Sequence, residues 1–506
     1  MLFKIGSASL AGIDAYMVEV EVDINCGIPH FVIVGLPDTA VRESKERVRA
    51  ALKNCGYSPS RLRIIVNLAP ADRRKEGSAY DLPIALGILA HLEAFPEERL
   101  QDYLFTGELA LDGRLKPGKG LLAATVLARE KGFRGIVLPW ENAQEAALVR
   151  EIEVFALHDL GEVIRLLGSP DAVSATRFRE DDIWPSEKWE EDFSEIQGQQ
   201  HAKRALEVTA AGGHNLLMIG PPGAGKTMLA RRLPTILPPM TFEEILEVTR
   251  IYSASGLLKS GGAIGLRPFR SPHHTISPAG MVGGGLIPRP GEVSLAHRGV
   301  LFLDELPEFR KEALEGLRQP LEDGTVSIAR TSMSVTYPCL FMLVAAMNPC
   351  EDAYAGLSSS PVECTDHQRI QYYAKLSRPL LDRIDIQIDV PRVEFREILG
   401  SKKSEDSQDI RERVIRARQR QMERLRESGV LCNAQMRNRE VKRFCPVSGT
   451  TRELLQAAVD KLGFSARAFH RVLKVARTIA DLEGAGELGT AHVSEAIQYR
   501  VLDKHF

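Results

Sequence analysis

The sequence predicts an α/β protein: two successive α/β units and then a helical C-terminal region. Three observations carry that expectation. Apolar runs of strand length alternate with helical stretches from residue 1 to about 170, and again from about Ser194 to Arg392. Between them, from Gly168 to Asp192, periodicity stops and Ser, Pro, Trp and acidic residues take over, which marks a linker. From Val393 onward the pattern turns helical. The expected boundaries are 1–168, a linker at 169–193, then 194–392 and 393–506. A chain of 506 residues needs several units, because single cores stop growing near ~250–300 residues.

In the first unit, Met17–Ile24, Arg63–Asn67 and Gly135–Leu138 read as strands, and Asp38–Asn54, Ala79–His91 and Gly120–Lys131 as helices. In the second, Asn215–Ile219, Gly299–Asp304, Cys339–Ala345 and Ile384–Val390 are strand candidates. Ile410–Arg426 is a charged helix with seven arginines against two glutamates, and Ser465–Leu482 repeats apolar residues every three or four positions.

Apolar residues at 44% and charged residues at 26% fit a soluble globular chain. No apolar run approaches the ~18–20 residues that span a bilayer, and the start lacks a secretory leader, so no membrane and a cytoplasmic location are expected. Seven scattered cysteines do not read as a disulfide framework. The net charge of −2 hides a balance of −5 over Arg177–Glu195 and +7 over Arg396–Phe506. A basic C-terminal region of that kind can meet a polyanion locally.

The strongest motif is HNLLMIGPPGAGKTMLARRL. Gly220, Pro221, Pro222, Gly223, Ala224, Gly225, Lys226 and Thr227 form a phosphate-loop pattern between an apolar strand and a helix. Glycines let backbone N–H groups approach phosphates, Lys226 can reach the β- and γ-phosphates, and the Thr227 hydroxyl can ligate Mg²⁺. GVLFLDELPEF then ends an apolar run in Asp304 and Glu305, suited to hold magnesium and to polarise water respectively. LFMLVAAMNP ends at Asn348, an amide placed to orient a lytic water or simply to cap a loop. In LSRPLLDRIDIQIDV, Arg383 can serve a developing phosphoryl charge or pair with Asp382 or Asp385. TVSIARTSMSVTY reads as two alternating strands around a short turn. His273–His274 lacks carboxylate or Cys neighbours at ligand spacing, and no metal is expected there.

These motifs in this order, with PFRSPHHTISPAG between the first two, resemble the AAA+ branch of magnesium chelatase motor subunits and MCM-type helicases. Across nearly the whole length the chain resembles the ComM (YifB) family, on IGSASLAGIDAYMVEVEVDI, FVIVGLPDTAVRESKERVRAAL, FRSPHHTISPAGMVGGG, AAMNPC and SARAFHRVLKVARTIADL. The resemblance implies ATP and Mg²⁺ as cofactors, a hexameric ring and DNA as partner, with branch migration during uptake of transforming DNA. It implies an AAA+ core with a helix-2 insert (about Ala263–Leu286) and a pre-sensor-1 hairpin (Gly324–Tyr337), then a helical lid. It assigns Arg383 as an arginine acting on the neighbour's nucleotide and Arg467 as the lid's sensing arginine, with pairing to Glu453 or Asp460 as the alternative. It also sets Arg330 toward a DNA phosphate in the ring's pore, with an exposed hairpin arginine that meets no ligand as the alternative. The His273–His274 pair falls in the insert's loop.

The sequence departs from the family in places. Family members commonly carry four cysteines after the Asn; here only Cys350 and Cys364 remain, with His367 as a possible third ligand, so no zinc is expected. Arg378 replaces a usual glycine. The N-terminal region is similar to the proteolytic domain of Lon, a ribosomal-protein-S5-like fold, on TGELALDGRLKPGKGLLAA. Leu122 takes the place of its catalytic lysine, and the nucleophile position falls near Tyr80 or Asp81, with Ser78 lacking an aligned base. Proteolysis is therefore expected to be lost. The competing expectation is a magnesium-chelatase-like motor that remodels a protein partner.

Overall fold

The computed structural model describes residues 1–59, 62–177, 190–258, 262–285, 288–330, 333–350, 364–393, 405–462 and 464–500. They divide into two compact units, 1–186 with 241–265, and 187–240 with 266–506.

The first unit is built on a seven-stranded mixed sheet in the order His30–Val34, Leu62–Ala69, Asp14–Cys26, Leu2–Ala11, Tyr103–Phe105, Gly135–Pro139, Glu153–Leu157. The first two strands in sequence form an antiparallel hairpin closed by Gly12 and Ile13, with Ala11 opposite Asp14. Gly12 has φ 72, the left-handed backbone that a two-residue hairpin turn demands. Along Asp14–Cys26, Val18, Val20, Val22 and Ile24 are buried, the period-2 pattern of a strand with one face inward. Helix Thr39–Asn54 starts where the Asp38 carboxylate accepts from Val41 N at 2.8 Å, and buries Val41, Val48, Ala51 and Leu52. Helix Asp81–His91 is apolar all round and buried along ten of its residues, as a central helix must be.

Residues 241–265, which the sequence pattern places inside the second unit, pack with the first. Their helix Phe242–Ser255 opens with a Thr241–Glu244 capping box and buries Ile245, Val248 and Ile251. Arg250 Nε donates to Ile13 O at 2.9 Å, and Ser253 O accepts from Gly120 N at 3.1 Å.

The second unit has a five-stranded parallel sheet in the order Phe269–Arg270, Val300–Leu303, Met342–Met347, Leu216–Ile219, Ile386–Asp389. The middle three strands are buried along their whole length, as parallel strands covered on both faces are. The C-terminal helices Ser407–Leu425 and Ala466–Glu483 share the sheet's core through Val414, Val472, Val475 and Ile479. The expected hairpin forms from Thr325–Arg330 and Met333–Pro338, with Val326, Ile328, Val335 and Tyr337 inward. Among the described residues no helix is long and apolar enough to cross a membrane.

In the first unit, Asp81 is fully buried and paired with Arg47 through Nε at 2.7 Å and Nη2 at 3.0 Å. Burial raises the Asp81 carboxyl above its ordinary range although Arg47 and Ser44 pull it back. Removing one partner of such a pair strands the other charge, so Arg47→Ala should cost about 3 kcal/mol or more. Glu43→Ala removes only the exposed end of the network, 3.9 Å from Arg47, and should change stability by under ~0.5 kcal/mol. Urea unfolding midpoints compare the two, and equal shifts would deny the buried pair any special weight.

Candidate functional site

Parallel register brings the candidate residues to one edge. Ile219 pairs with Met347, and Leu303 pairs with Ala345, so Gly220, Asp304 and Asn348 follow at the carboxyl ends of three adjacent strands. That edge is where open parallel sheets hold ligands.

Gly220 is held by its own N–H to Met347 O at 3.2 Å, and a Cβ there would lie 2.1 Å from Val390 O. Gly223 and Gly225 are required for a different reason. Their φ values are 80 and 87, while the space around them is open. Lys226, buried at the start of helix Lys226–Arg232, turns Nζ onto Gly220 O (2.5 Å), Pro221 O (3.0 Å) and Asn348 Oδ1 (3.0 Å). Thr227 Oγ1 donates to Asp304 Oδ2 at 2.7 Å. Asp304 Oδ1 accepts from Glu305 N at 3.0 Å, and Glu305 sits at φ 53, unusual for a residue with a side chain. The turn aims Glu305 away from the strand, and its carboxylate lies 3.5 Å from His274 Nδ1. The loop, the lysine, the hydroxyl–carboxylate pair and the amide therefore converge as a nucleotide phosphate and a divalent cation would need.

Three contacts escape sequence reading, the first two of them at this edge. Tyr372 Oη donates to Asn348 O at 2.8 Å and fixes the amide's backbone. His274 stacks on His273 at 4.1 Å between ring centroids and faces Glu305, a place more specific than the loop role expected of it. Glu322 pairs with Arg383. Neither Asp382 nor Asp385, the partners suggested by sequence proximity, takes that role. Arg383 Nη1 also donates to Pro379 O at 2.7 Å.

Asp385 instead joins Arg471 at 2.5 Å and accepts from Asn215 N at 3.1 Å. Burial would raise its carboxyl, but Arg471 and the His214 imidazole beside it overcome that and hold it well below the ordinary range. Arg467 stands exposed near the start of helix Ala466–Glu483, which Ser465 caps. It forms no ion pair with Glu453 or Asp460; Asp460 accepts from Gln456 at 3.1 Å. Arg330 ends the first hairpin strand, backbone-paired with Met333; its side chain lies outside the described residues. Arg378 is exposed at the head of a short helix, and nothing in the structure explains it.

The arginines of the charged helix, Ser407–Leu425 in the structure, are largely absorbed by the fold. Arg411 donates to Leu237 O, Arg418 to Ala210 O and Arg420 to Asp481 O, while Arg413 pairs with Glu207 and Glu405, and Arg424 with Asp481. Arg416 and Arg426 remain exposed.

Cys350 and Cys364 are joined as a disulfide, although the scattered cysteines do not read as a disulfide framework, and His367 is exposed. Residues 351–363 between them lie outside the described residues. No group of three or more metal-ligating side chains occurs among the described residues.

Comparison with known proteins agrees along the chain. Residues 192–398 match the family described as magnesium chelatase, subunit ChlI; residues 20–142 match the family of subunit ChlI of Mg-chelatase, and residues 404–500 its C-terminal family. The chain is 42% identical to the competence protein ComM of Haemophilus influenzae over 500 residues, covering 98% of this chain and 97% of that protein. It is 42% identical to YifB of Salmonella typhimurium over 496 residues, covering 97% and 96%. The magnesium-chelatase 67 kDa subunit of Chlorobaculum parvum is 26% identical over 229 residues, 43% of this chain and 30% of that protein.

The arginine assignments can be separated by stability. Arg424→Ala takes a cation from the buried Asp481 and should cost about 2 kcal/mol, softened because Arg477 also reaches that carboxylate at 3.0 Å. Arg416→Ala should stay within ~0.5 kcal/mol of wild type. Thermal melts decide, and a large loss at Arg416 with none at Arg424 would reverse the assignment.

Proposed function

Because the chain belongs to the ComM/YifB family of magnesium-chelatase-like proteins, we propose that it is an ATP-hydrolysing AAA+ motor that moves DNA. The observation that carries the reading is the convergence of Lys226, Thr227, Asp304, Glu305 and Asn348 at the ends of three adjacent parallel strands.

ATP would lie along Gly220–Thr227, with Thr227 and Asp304 holding its magnesium; bound, the nucleotide supplies the phosphoanhydride bond and the metal offsets its charge. Lys226 exchanges its carbonyl partners for phosphate oxygens. Glu305 accepts the proton of an attacking water, and Asn348 orients that water. Arg383 of one subunit serves the site of its neighbour, and Arg467 reads the nucleotide from the C-terminal helices. These roles call for a ring of identical subunits, which we take to be a cytoplasmic hexamer.

The DNA part of the reading draws on the near-complete match to a competence protein and on the hairpin. Its cargo would be single-stranded or branched DNA, and its work branch migration in recombination. The alternative, a magnesium-chelatase-like motor remodelling a protein partner, draws on the ChlI families matched along the chain. DNA-stimulated turnover separates the two.

The first unit would keep a Lon-like, S5-like fold without proteolysis. At the nucleophile's position Tyr80 is buried and Asp81 is bound to Arg47. Leu122 is buried where the lysine would stand, and Ser78 Oγ is hydrogen-bonded to Glu108 rather than to a base of lysine type.

Lys226→Ala should abolish nucleotide binding, read by a fluorescent ATP analogue. Glu305→Gln should bind it normally yet hydrolyse at least ~100-fold slower, since the carboxylate acts in the transition state; near-normal turnover in that variant refutes the site.

Arg330→Ala should lower DNA-stimulated turnover and strand migration while sparing DNA-free turnover and assembly. Its DNA affinity should fall off less steeply with salt, by roughly one unit of log–log slope for each phosphate left unneutralised. Wild-type behaviour at several salt concentrations would remove the hairpin from the DNA path.

A further inference from the structure

Arg383 is turned inward. Its side chain is only 13% exposed, Nη2 pairs with Glu322, Nη1 donates to Pro379 O, and Nε is buried without a hydrogen-bond partner among the described residues. An arginine that serves a neighbouring subunit must present its terminal nitrogens outward, so something has to let it go.

The two ends of this ion pair are anchored very differently. On the arginine side the backbone is fixed: Arg383 O accepts from Asn215 Nδ2 at 2.8 Å, and two residues on, Asp385 is buried and bound to Arg471. Glu322 is 60% exposed, on the short helix Arg318–Asp323. Water screens such a carboxylate, which makes this the breakable side of the contact.

Glu322 also sits at the root of the hairpin. The helix stops at Gly324, with φ 65, and Thr325 begins the first hairpin strand. Gly324 O accepts from Cys339 N at 2.8 Å, directly after the second strand, and a Cβ on Gly324 would lie 2.4 Å from Leu340 Cδ2. Both legs of the hairpin are thus clamped at one point, two residues from Glu322. Glu322 is therefore tied to the hairpin, whereas Arg383 is tied to the sheet.

We propose that Glu322 is a positioning residue for Arg383: it holds the guanidinium within its own subunit until the hairpin is displaced, and so makes hydrolysis at the neighbouring site wait for engagement of the hairpin. The inference rests on the motor reading above and on the role of Arg383 in trans. It gives the hairpin's cargo, there taken to be DNA, a physical route to the chemistry.

The test is steady-state ATP turnover of the full-length chain with and without a single-stranded oligonucleotide. Glu322→Gln and Glu322→Ala should raise DNA-free turnover several-fold, toward the DNA-saturated wild-type rate, so that the stimulation ratio falls toward one. A gain of this kind cannot come from misfolding. Adding Arg383→Ala to either variant should erase it. DNA-free turnover at or below wild type in both Glu322 variants overturns the proposal. Mixed rings of Arg383→Ala and Lys226→Ala subunits should recover hydrolysis; if they form and stay inactive, the trans role of Arg383 fails and the latch with it. If wild type is not stimulated by DNA, the DNA reading falls, while the DNA-free comparison still decides the latch.

Discussion

Much of the second unit hangs on one buried carboxylate. Asp385 accepts from Asn215 N, binds Arg471 of a C-terminal helix and lies 3.4 Å from His214 Nδ1. Taking a carboxylate out of water costs several kcal/mol unless it is paired and hydrogen-bonded, as Asp385 is by Arg471 and Asn215 N. His214, fully buried, has its imidazole pushed toward the neutral form by desolvation, and its other nitrogen meets Thr478 at 2.8 Å. A side chain at Gly212 would collide with that ring, 2.1 Å from Nε2. The last strand, the start of the phosphate-loop strand and the C-terminal helices therefore share one geometry.

Asn215 carries that constraint across the sheet. Its Oδ1 accepts from Leu343 N at 2.8 Å, and its Nδ2 donates to Arg383 O at 2.8 Å. Three strands are thus aligned where they begin, and because they are parallel and short, their far ends are aligned as well. That is why Gly220 and Asn348, far apart in sequence, meet at one edge, where the pairing of Val300–Leu303 with Met342–Ala345 adds Asp304. The edge that carries the candidate site is kept in register from the opposite edge, by Asn215 and Asp385. Tyr372 adds the last restraint, on the carbonyl of Asn348.

The sequence discloses what depends on local pattern. Buried strands ending in a glycine-rich loop, an Asp-Glu pair and an Asn are contiguous signals, and the structure sets each at a strand end. The alternating hairpin is legible for the same reason, since Val326, Ile328, Val335 and Tyr337 fall on one face by parity alone. Partners across the fold are not legible. Nothing in LLDRID says that Arg383 prefers Glu322, 61 positions away, over two aspartates beside it. Segment 241–265 is misplaced by a contiguous reading, which gives each stretch to its neighbours in sequence, while this one completes the first unit. The spacing of His273–His274 speaks only to metals, and cannot show that the second ring faces Glu305.

Charge is the least reliable guide, for a physical reason. An excess of arginine over a region counts side chains, but a polyanion meets only those whose guanidinium groups reach solvent. Helix Ser407–Leu425 spends its arginines on carbonyls at Leu237, Ala210 and Asp481 and on carboxylates at Glu207, Glu405 and Asp481. Arginine suits that work because its five donors can satisfy helix-end carbonyls and a carboxylate together, while its stem covers apolar surface. So the basic balance of the C-terminal region is in good part structural cement. The hairpin presents the contrary case. Its outward residues, Ser327, Ala329, Ser334 and Thr336, are small and uncharged. Its first strand ends on a single arginine, Arg330, beside the turn. The hairpin's surface is therefore smooth and uncharged along both strands up to that arginine, and the excess of arginine that composition reports lies elsewhere, in the helix.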